Sequence, residues 1–395
     1  MRRDRRFSIY WLGQTLSGFG DAFALVAIPL LVLERAGSIA GMGVVSAAGV
    51  LGQVTASLFS GHLIDHFDRR RTMIACDVGR AVLYGLLPFL AWRGHASFAL
   101  ICATVILGGA LSNIFSVGYM TAIPSLVGRD VLHSANAKMQ GALALAYVFG
   151  SLCAGAVATT AGPAVALSID AATFLVSATS LFSIRFDVQA KPVADRQRFG
   201  AGWRFLVGHR LLRSMTLVLV VLGISGNMGV GAGITDLMIF HVKSELALDS
   251  FRVGVCVGIT AFGALLGAVA APRLAKAIVS TRCFLTGSVV QAVGLLLVGA
   301  IAHFVAAAGG GLLWGAGMML RSVPMHSLRQ SLIPSELLGR VTAISWTAIF
   351  AAAALGTAVM TRIAAHISAG PTMFGIGLAV ASIGIVSWLG PMRER

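Results

Sequence analysis

Of the 395 residues, 57% are hydrophobic and only 11% charged, against roughly 25% charged in an ordinary soluble domain. No water-soluble fold of this length hides so much apolar surface. A formal charge of +15 would suggest a nucleic-acid partner in a soluble protein, but in so apolar a chain it reflects membrane topology and anionic lipid headgroups.

Runs free of Asp, Glu, Lys and Arg recur along the chain, 139–169, 214–235 and 341–361 among them. A helix needs about 20 apolar residues to cross a bilayer core of ~30 Å. Charge clusters and the turn signals AWRGHAS (91–97), AGP (161–163), IAHF (301–304) and ISAGP (367–371) mark the breaks. The spans predicted in chain order are 8–33, 38–60, 73–92, 97–121, 137–160, 164–184, 214–239, 252–271, 283–302, 304–326, 341–364 and 371–390. The expected fold is an all-α membrane protein of twelve transmembrane helices. Alternation with a period of two is absent, which excludes a transmembrane β-barrel. The first span is too long for a signal peptide and has no cleavage site.

With these spans, 23 of the 30 Lys and Arg fall on one side of the membrane. Arg35, Arg93, Lys243 and Arg252 fall on the other, and Arg80, Arg321 and Arg362 lie inside spans. Positive charge stays in the cytoplasm, so both termini are expected there, in a bacterial inner membrane. The five cysteines (76, 102, 153, 256, 283) form no metal spacing and read as small apolar residues. The glycines of GFG (18–20) and GVGAG (229–233) read as sites of close helix packing. There is no Walker motif and no arrangement of nucleophile and base, so neither ATP nor a cofactor nor an enzymatic reaction is expected.

The chain repeats itself. IPSLVGRDVLHSANA (123–137) follows the fourth span and IPSELLGRVTAIS (333–345) follows the tenth, with Ile, Pro and Ser matching at an offset of 210. This predicts a six-helix half at 1–184, a basic cytoplasmic linker at 185–213 and a second six-helix half at 214–395. Parallel repeats of this kind place a substrate site between the halves near the midplane.

Charge is concentrated in GHLIDHFDRRRTMIACDVGRA (61–81). Gly61 permits a tight exit from span two, Asp65 at the membrane surface suits the positive end of a neighbouring helix, and Asp77 and Arg80 share a helical face. Gly61-xxx-Asp65-His66-xx-Arg69-Arg70 resembles the signature between the second and third helices of the major facilitator superfamily, with His66 in place of a basic residue and Asp68 in place of a glycine. DHFDRRR with DVGRA, IPSLVGRDVLHSANA, and FGAGWRFLVGHRLLRS (199–214) resemble the branch that contains the enterobactin exporter and the macrolide-efflux proteins. The resemblance implies that Gly61, Asp65, Arg69, Arg70, Asp77 and Arg80 form a cytoplasmic gate, with Asp65 facing the start of span eleven. The family's antiporter motif matches Gly150-Ser151-Leu152-Cys153-Ala154-Gly155 only at its outer glycines, with Ser151 where the family has proline.

Ionisable residues inside a membrane are functional sites by default. Asp21 lies near the middle of span one, and its neighbours Ser17, Gly18, Ala24 and Leu25 include no cation. Arg80, Arg321 and Arg362 lie off the midplane by the predicted spans, so Asp21 is expected to have no fixed partner and to carry protons. Asp236 is the second candidate. Asp170 and Arg362 read as intramembrane or as interfacial. The resemblance makes helices one, four, seven and ten line the cavity, which puts Asn113, Asn227, Met228 and Met318 at the substrate. The expected function is proton-coupled efflux of amphipathic small molecules (drug, natural product or siderophore) by alternating access. The alternatives are an importer or symporter of the same fold, or a membrane partner that does not transport. The expected partners are a small-molecule substrate, protons and the lipid bilayer, with no nucleic acid, no metal and a monomeric chain.

Overall fold

The computed structural model describes residues 2–127, 131–184, 200–225, 233–277 and 280–389. Within helices, some side chains fall outside the description, those of Gly61 and Asp65 among them. All the regular structure among the described residues is helical: α1 (Arg2–Ala36), α2 (Ile39–His66), α3 (Arg69–Trp92), α4 (Phe98–Leu126), α5 (Leu132–Thr160), α6 (Pro163–Phe182), α7 (Gly200–Gly208), α8 (Arg210–Ile224), α9 (Ile234–Phe240), α10 (Ser250–Ala277), α11 (Ser280–Ala300), α12 (Phe304–Leu332), α13 (Ser335–Ile367) and α14 (Ala369–Leu389). A π-helical turn, His241–Glu245, extends α9. Eleven of these helices are long and apolar enough to cross a membrane, or twelve if the bent pair α7–α8 is one span.

Helix ends follow local chemistry rather than hydropathy. The Asp68 carboxylate accepts from Arg71 N–H (2.8 Å) and caps α3. This gives a physical reason for an aspartate at a position where the resembling signature has glycine. Ser97 caps α4 in the same way, accepting from Leu100 N–H. At AGP, Gly162 takes a φ of 89° and Pro163 opens α6. Helices α1, α3 and α12 run past their predicted spans into charged residues, which continue a helix as readily as apolar ones.

Two expectations need correction. Span seven is not one helix over 214–239. Helix α7 meets α8 at 95°, and α8 has 15 residues, about 22 Å at 1.5 Å per residue, short of a full crossing. Helix α9 resumes at Ile234 after Gly233, whose φ is 64°. Gly233 of GVGAG therefore starts a helix instead of packing within one, and 226–232 lie outside the described residues. The repeat also differs between its copies. Ile123 falls within the last turn of α4, whereas Ile333 caps the end of α12 and Pro334 stands at the N-cap of α13.

The chain divides into two compact units: Met1–Gly37, Ala48–Ala194 and Asp249–Gly254 in the first, and Ser38–Ala47, Asp195–Leu248 and Val255–Arg395 in the second. The first has a core of Tyr10, Met73, Cys76, Phe115, Leu126 and Met139 among others. In the second, α11 and α12 approach through paired glycines. A methyl group on Gly317 would lie 2.4 Å from the Gln291 nitrogen and 2.6 Å from the Gly287 oxygen, and one on Gly294 would lie 2.5 Å from the Gly310 oxygen.

Backbone cannot yield as a side-chain tip does. Gly317→Val should destabilise the protein by about 1–3 kcal/mol or more, read as a lower melting midpoint in detergent. Gly309→Ala, where nothing lies within 4 Å, should leave the midpoint near that of the parent. Equal midpoints for both variants would contradict this packing.

Candidate functional site

In the first unit, one arginine gathers three aspartates. Arg80 lies eleven residues after Arg69 and twelve before Trp92, at the middle of α3, and is 3% exposed. Its Nη2 donates to Asp77 Oδ1, one turn earlier on the same helix. Its guanidinium stacks 4.1 Å from the Phe174 ring centroid and 4.6 Å from that of Phe115. Its Nη1 lies 3.9 Å from Asp21 Oδ1. Asp170 acts on the same guanidinium through its charge.

The helices place these groups for identifiable reasons. Helices α1 and α6 approach at Gly13 and Gly20, where a methyl group would lie 2.1 Å from Ser180 Oγ and 1.9 Å from Thr173 Oγ1 respectively. The Gly20 position is also 2.8 Å from Asp170 Oδ1, so the missing side chain admits that carboxylate next to Asp21. Ser177, which accepts from Gln14 Nε2 (2.9 Å), lies beside Asp77. Tyr84 stacks on Phe174, and the charges of Asp21 and Asp170 reach Tyr84 and Tyr147.

The three carboxylates are not equivalent. Asp77 and Asp170 are fully buried, whereas 38% of the Asp21 side chain is open. Asp77 holds Arg80 by a direct hydrogen bond, and Asp21 stands at the outer limit of an ion pair. Three carboxylates around one guanidinium would carry a surplus of negative charge in a low-dielectric setting, where each bare ion costs several kcal/mol. Of the three, Asp21 is the open member.

The expectation that Asp21 lacks a cation is overturned. Helix α3 starts four residues before its predicted span, which shifts Arg80 to mid-helix, and Asp21 lies 19 residues after Arg2 and 15 before Ala36 in α1. Asp170 is buried and Arg362 is exposed. Asp236 in the second unit is buried on α9 and bonds to the Ser46 hydroxyl and the Gly233 backbone. From the signature loop, Arg70 donates Nε to Leu181 O (2.8 Å) and Nη2 to Phe182 O, closing the C-terminal end of α6. Arg69 is half-buried, and the Gly61 and Asp65 side chains lie outside the described residues.

Of the expected cavity residues, Met318 is buried in α12 and Asn113 is half-buried on α4 with an unpartnered Oδ1. Asn227 and Met228 lie outside the described residues. A cavity of about 550 Å³ instead follows α1 and α5, lined by Trp11, Leu16, Phe19, Lys138, Leu145 and Phe149. The Lys138 ammonium sits 4.5 Å from the Trp11 ring centroid. A methyl group on Gly18 would lie 2.6 Å from Leu143, and one on Gly150 would lie 2.7 Å from the Phe19 oxygen, so these glycines set the helix spacing below the cavity. The signal was present in the sequence as stripes of helical period, Trp11, Thr15 and Phe19 on one helix and Lys138, Ala142, Leu145 and Phe149 on the other.

Removing Arg80 strands three carboxylates. Arg80→Gln should destabilise the protein by about 3–5 kcal/mol, and adding Asp77→Asn should recover part of that loss. Asp170→Asn, which removes surplus negative charge, should melt at or above the parent temperature. Parent-like melting of Arg80→Gln would refute the cluster.

Residues 10–357 match the model of the family described as Major Facilitator Superfamily. The chain is 24% identical over 397 residues to the multidrug efflux pump Tap of Mycolicibacterium fortuitum, covering 96% of this chain and 94% of that one. It is 26% identical over 215 residues to Tap of Mycobacterium tuberculosis, where the match spans about half of each protein (51%). It is 23% identical to the enterobactin exporter EntS of Citrobacter koseri, covering 85% of this chain and 80% of that one. The crystal structure of the nucleoside transporter NupG superposes with a TM-score of 0.81 over 99% of both chains at 11% identity, a likeness of fold alone.

Proposed function

The chain belongs to the major facilitator superfamily, and from that premise we propose that this multi-pass membrane transporter exports amphipathic small molecules in exchange for protons carried by Asp21. The observation that carries the proposal is the inequality among the carboxylates around Arg80. A proton carrier must alternate between an ionised, partnered state and a neutral, released one. Asp77, tied directly to Arg80, holds the cation in place. Asp21, at 3.9 Å and partly open, is near enough to pair when ionised and free enough to leave when neutral. Its protonation would loosen α1 from α3 and bias one of two states of the transporter.

Export is the direction named for both Tap and EntS. The groove of α1 and α5 supplies a route. Its volume lies within the ~300–1,000 Å³ typical of small-molecule sites, its walls are aromatic and aliphatic, and Lys138 adds one cationic contact. An amphipathic substrate suits that lining. Asp65 with Arg69 and Arg70 would latch the cytoplasmic side, and Asp236 is the reserve proton site. The charge bias supports both termini in the cytoplasm, in a bacterial inner membrane.

In proteoliposomes with an imposed pH gradient, a screen of fluorescent amphipathic dyes should find uphill export by the parent. Asp21→Asn should insert and fold normally, keep downhill exchange and lose uphill accumulation by at least about tenfold, which is 1.4 kcal/mol of lost coupling. Uphill pumping by Asp21→Asn at the parent rate would move the coupling site elsewhere.

The orientation has its own check. Ser244→Cys should react with an impermeant thiol reagent only from outside intact cells, and Ala194→Cys only from within. The reverse pattern would invert the topology.

A further inference from the structure

In the second unit, the C-terminal part of α12 and the N-terminal part of α13 enclose a small polar cavity of about 60 Å³. It is lined by His326, Arg329, Gln330, Ile333, Thr342 and Trp346. Arg329 is 4% exposed, and its Nη2 has no hydrogen-bond partner. Two turns earlier on the same helix, Arg321 is 3% exposed with Nε and Nη1 unpartnered. Arg340, at the start of α13, leaves Nη1 unpartnered as well. Among the described residues no carboxylate pairs with any of the three.

Buried guanidinium groups are normally paired, because an uncompensated charge is costly to desolvate. The attraction of a cation to the C-terminal end of a helix accounts for a basic residue at Arg329. It does not account for Arg321, eleven residues before the end of α12, nor for an open polar cavity at Arg329. The lining presents donors: the guanidinium of Arg329, the amide of Gln330, the hydroxyl of Thr342 and an imidazole. Several donors converging on a cavity of this size suit an oxyanion, since hydrogen bonds from a guanidinium to phosphate are strong and geometrically matched. The volume admits one phosphate-sized group or a few waters, and excludes a drug or a whole lipid.

We propose that this cavity is an oxyanion site that binds a phosphate group through Arg329, Gln330 and Thr342, with Arg321 and Arg340 supplying positive potential. The phosphate comes either from an anionic lipid headgroup, whose chains would remain outside, or from free inorganic phosphate. Trp346, edge-on to His326 at 5.3 Å and stacked on Phe350 at 5.0 Å, forms the apolar rim. This site is separate from the proton cluster and does not depend on the direction of transport.

The test uses the purified full-length protein. Its melting midpoint is measured in detergent with inorganic phosphate against chloride at matched ionic strength, and in phosphatidylcholine vesicles with and without phosphatidylglycerol. A rise with inorganic phosphate identifies the free anion, and a rise only with phosphatidylglycerol identifies the lipid headgroup. Arg329→Gln should abolish the rise, Thr342→Val should weaken apparent affinity on the order of tenfold, and the exposed control Arg362→Gln should leave it intact. Thr342→Val keeps the test decisive where Arg329→Gln does not fold. The proposal fails if neither phosphate source raises the midpoint, or if the rise persists at full size in Arg329→Gln or Thr342→Val.

Discussion

The buried polar groups of the first unit depend on one guanidinium. Arg80 is held on two sides by aromatic faces and on its own helix by Asp77, while Asp21 lies 3.9 Å from it and the charge of Asp170 acts on it from α6. An arginine in the middle of a membrane helix is tolerable only with such company. The company in turn requires α1 and α6 to approach closely, which the glycines at 13 and 20 permit. Planarity matters as much as charge. A guanidinium can stack between two rings and still present edges to carboxylates, which an ammonium cannot.

That arrangement divides labour among like residues. Three aspartates of the same chemistry differ because of their surroundings: one is bound, one is buried against a helix seam, and one is open. A single cation shared among them makes their protonation states interdependent. Under the proposed function, a proton taken up at Asp21 would change what Arg80 offers to Asp77 and Asp170. The apolar groove also runs along α1, so the helix that bears the open carboxylate borders the place where an amphipathic molecule would lie.

The spans were legible from the sequence because bilayer thickness imposes a length that composition alone reveals. So was the i to i+3 relation of Asp77 and Arg80, which is local. What stayed hidden was long-range or depended on helix ends. Hydropathy places the start of span three at residue 73, but Asp68 caps α3 and starts it at Arg69, which puts Arg80 at mid-helix. The break after α8 was obscured because its glycines also suit close packing inside a helix. Asp170 gave no sign of its burial, since the gap that receives it is a missing side chain on another helix. The cationic cavity beside Trp346 joins residues of two helices on either side of a proline, and basic residues near a membrane surface ordinarily need no such explanation.

Proton release on substrate binding tests the central claim most directly. Purified transporter in weakly buffered solution with a pH indicator is mixed with a dye that it exports. The account predicts that the parent releases protons as the dye binds, and that Asp21→Asn binds the dye with no such release. Equal release from both proteins would show that the proton resides on another group and would contradict the role assigned to Asp21.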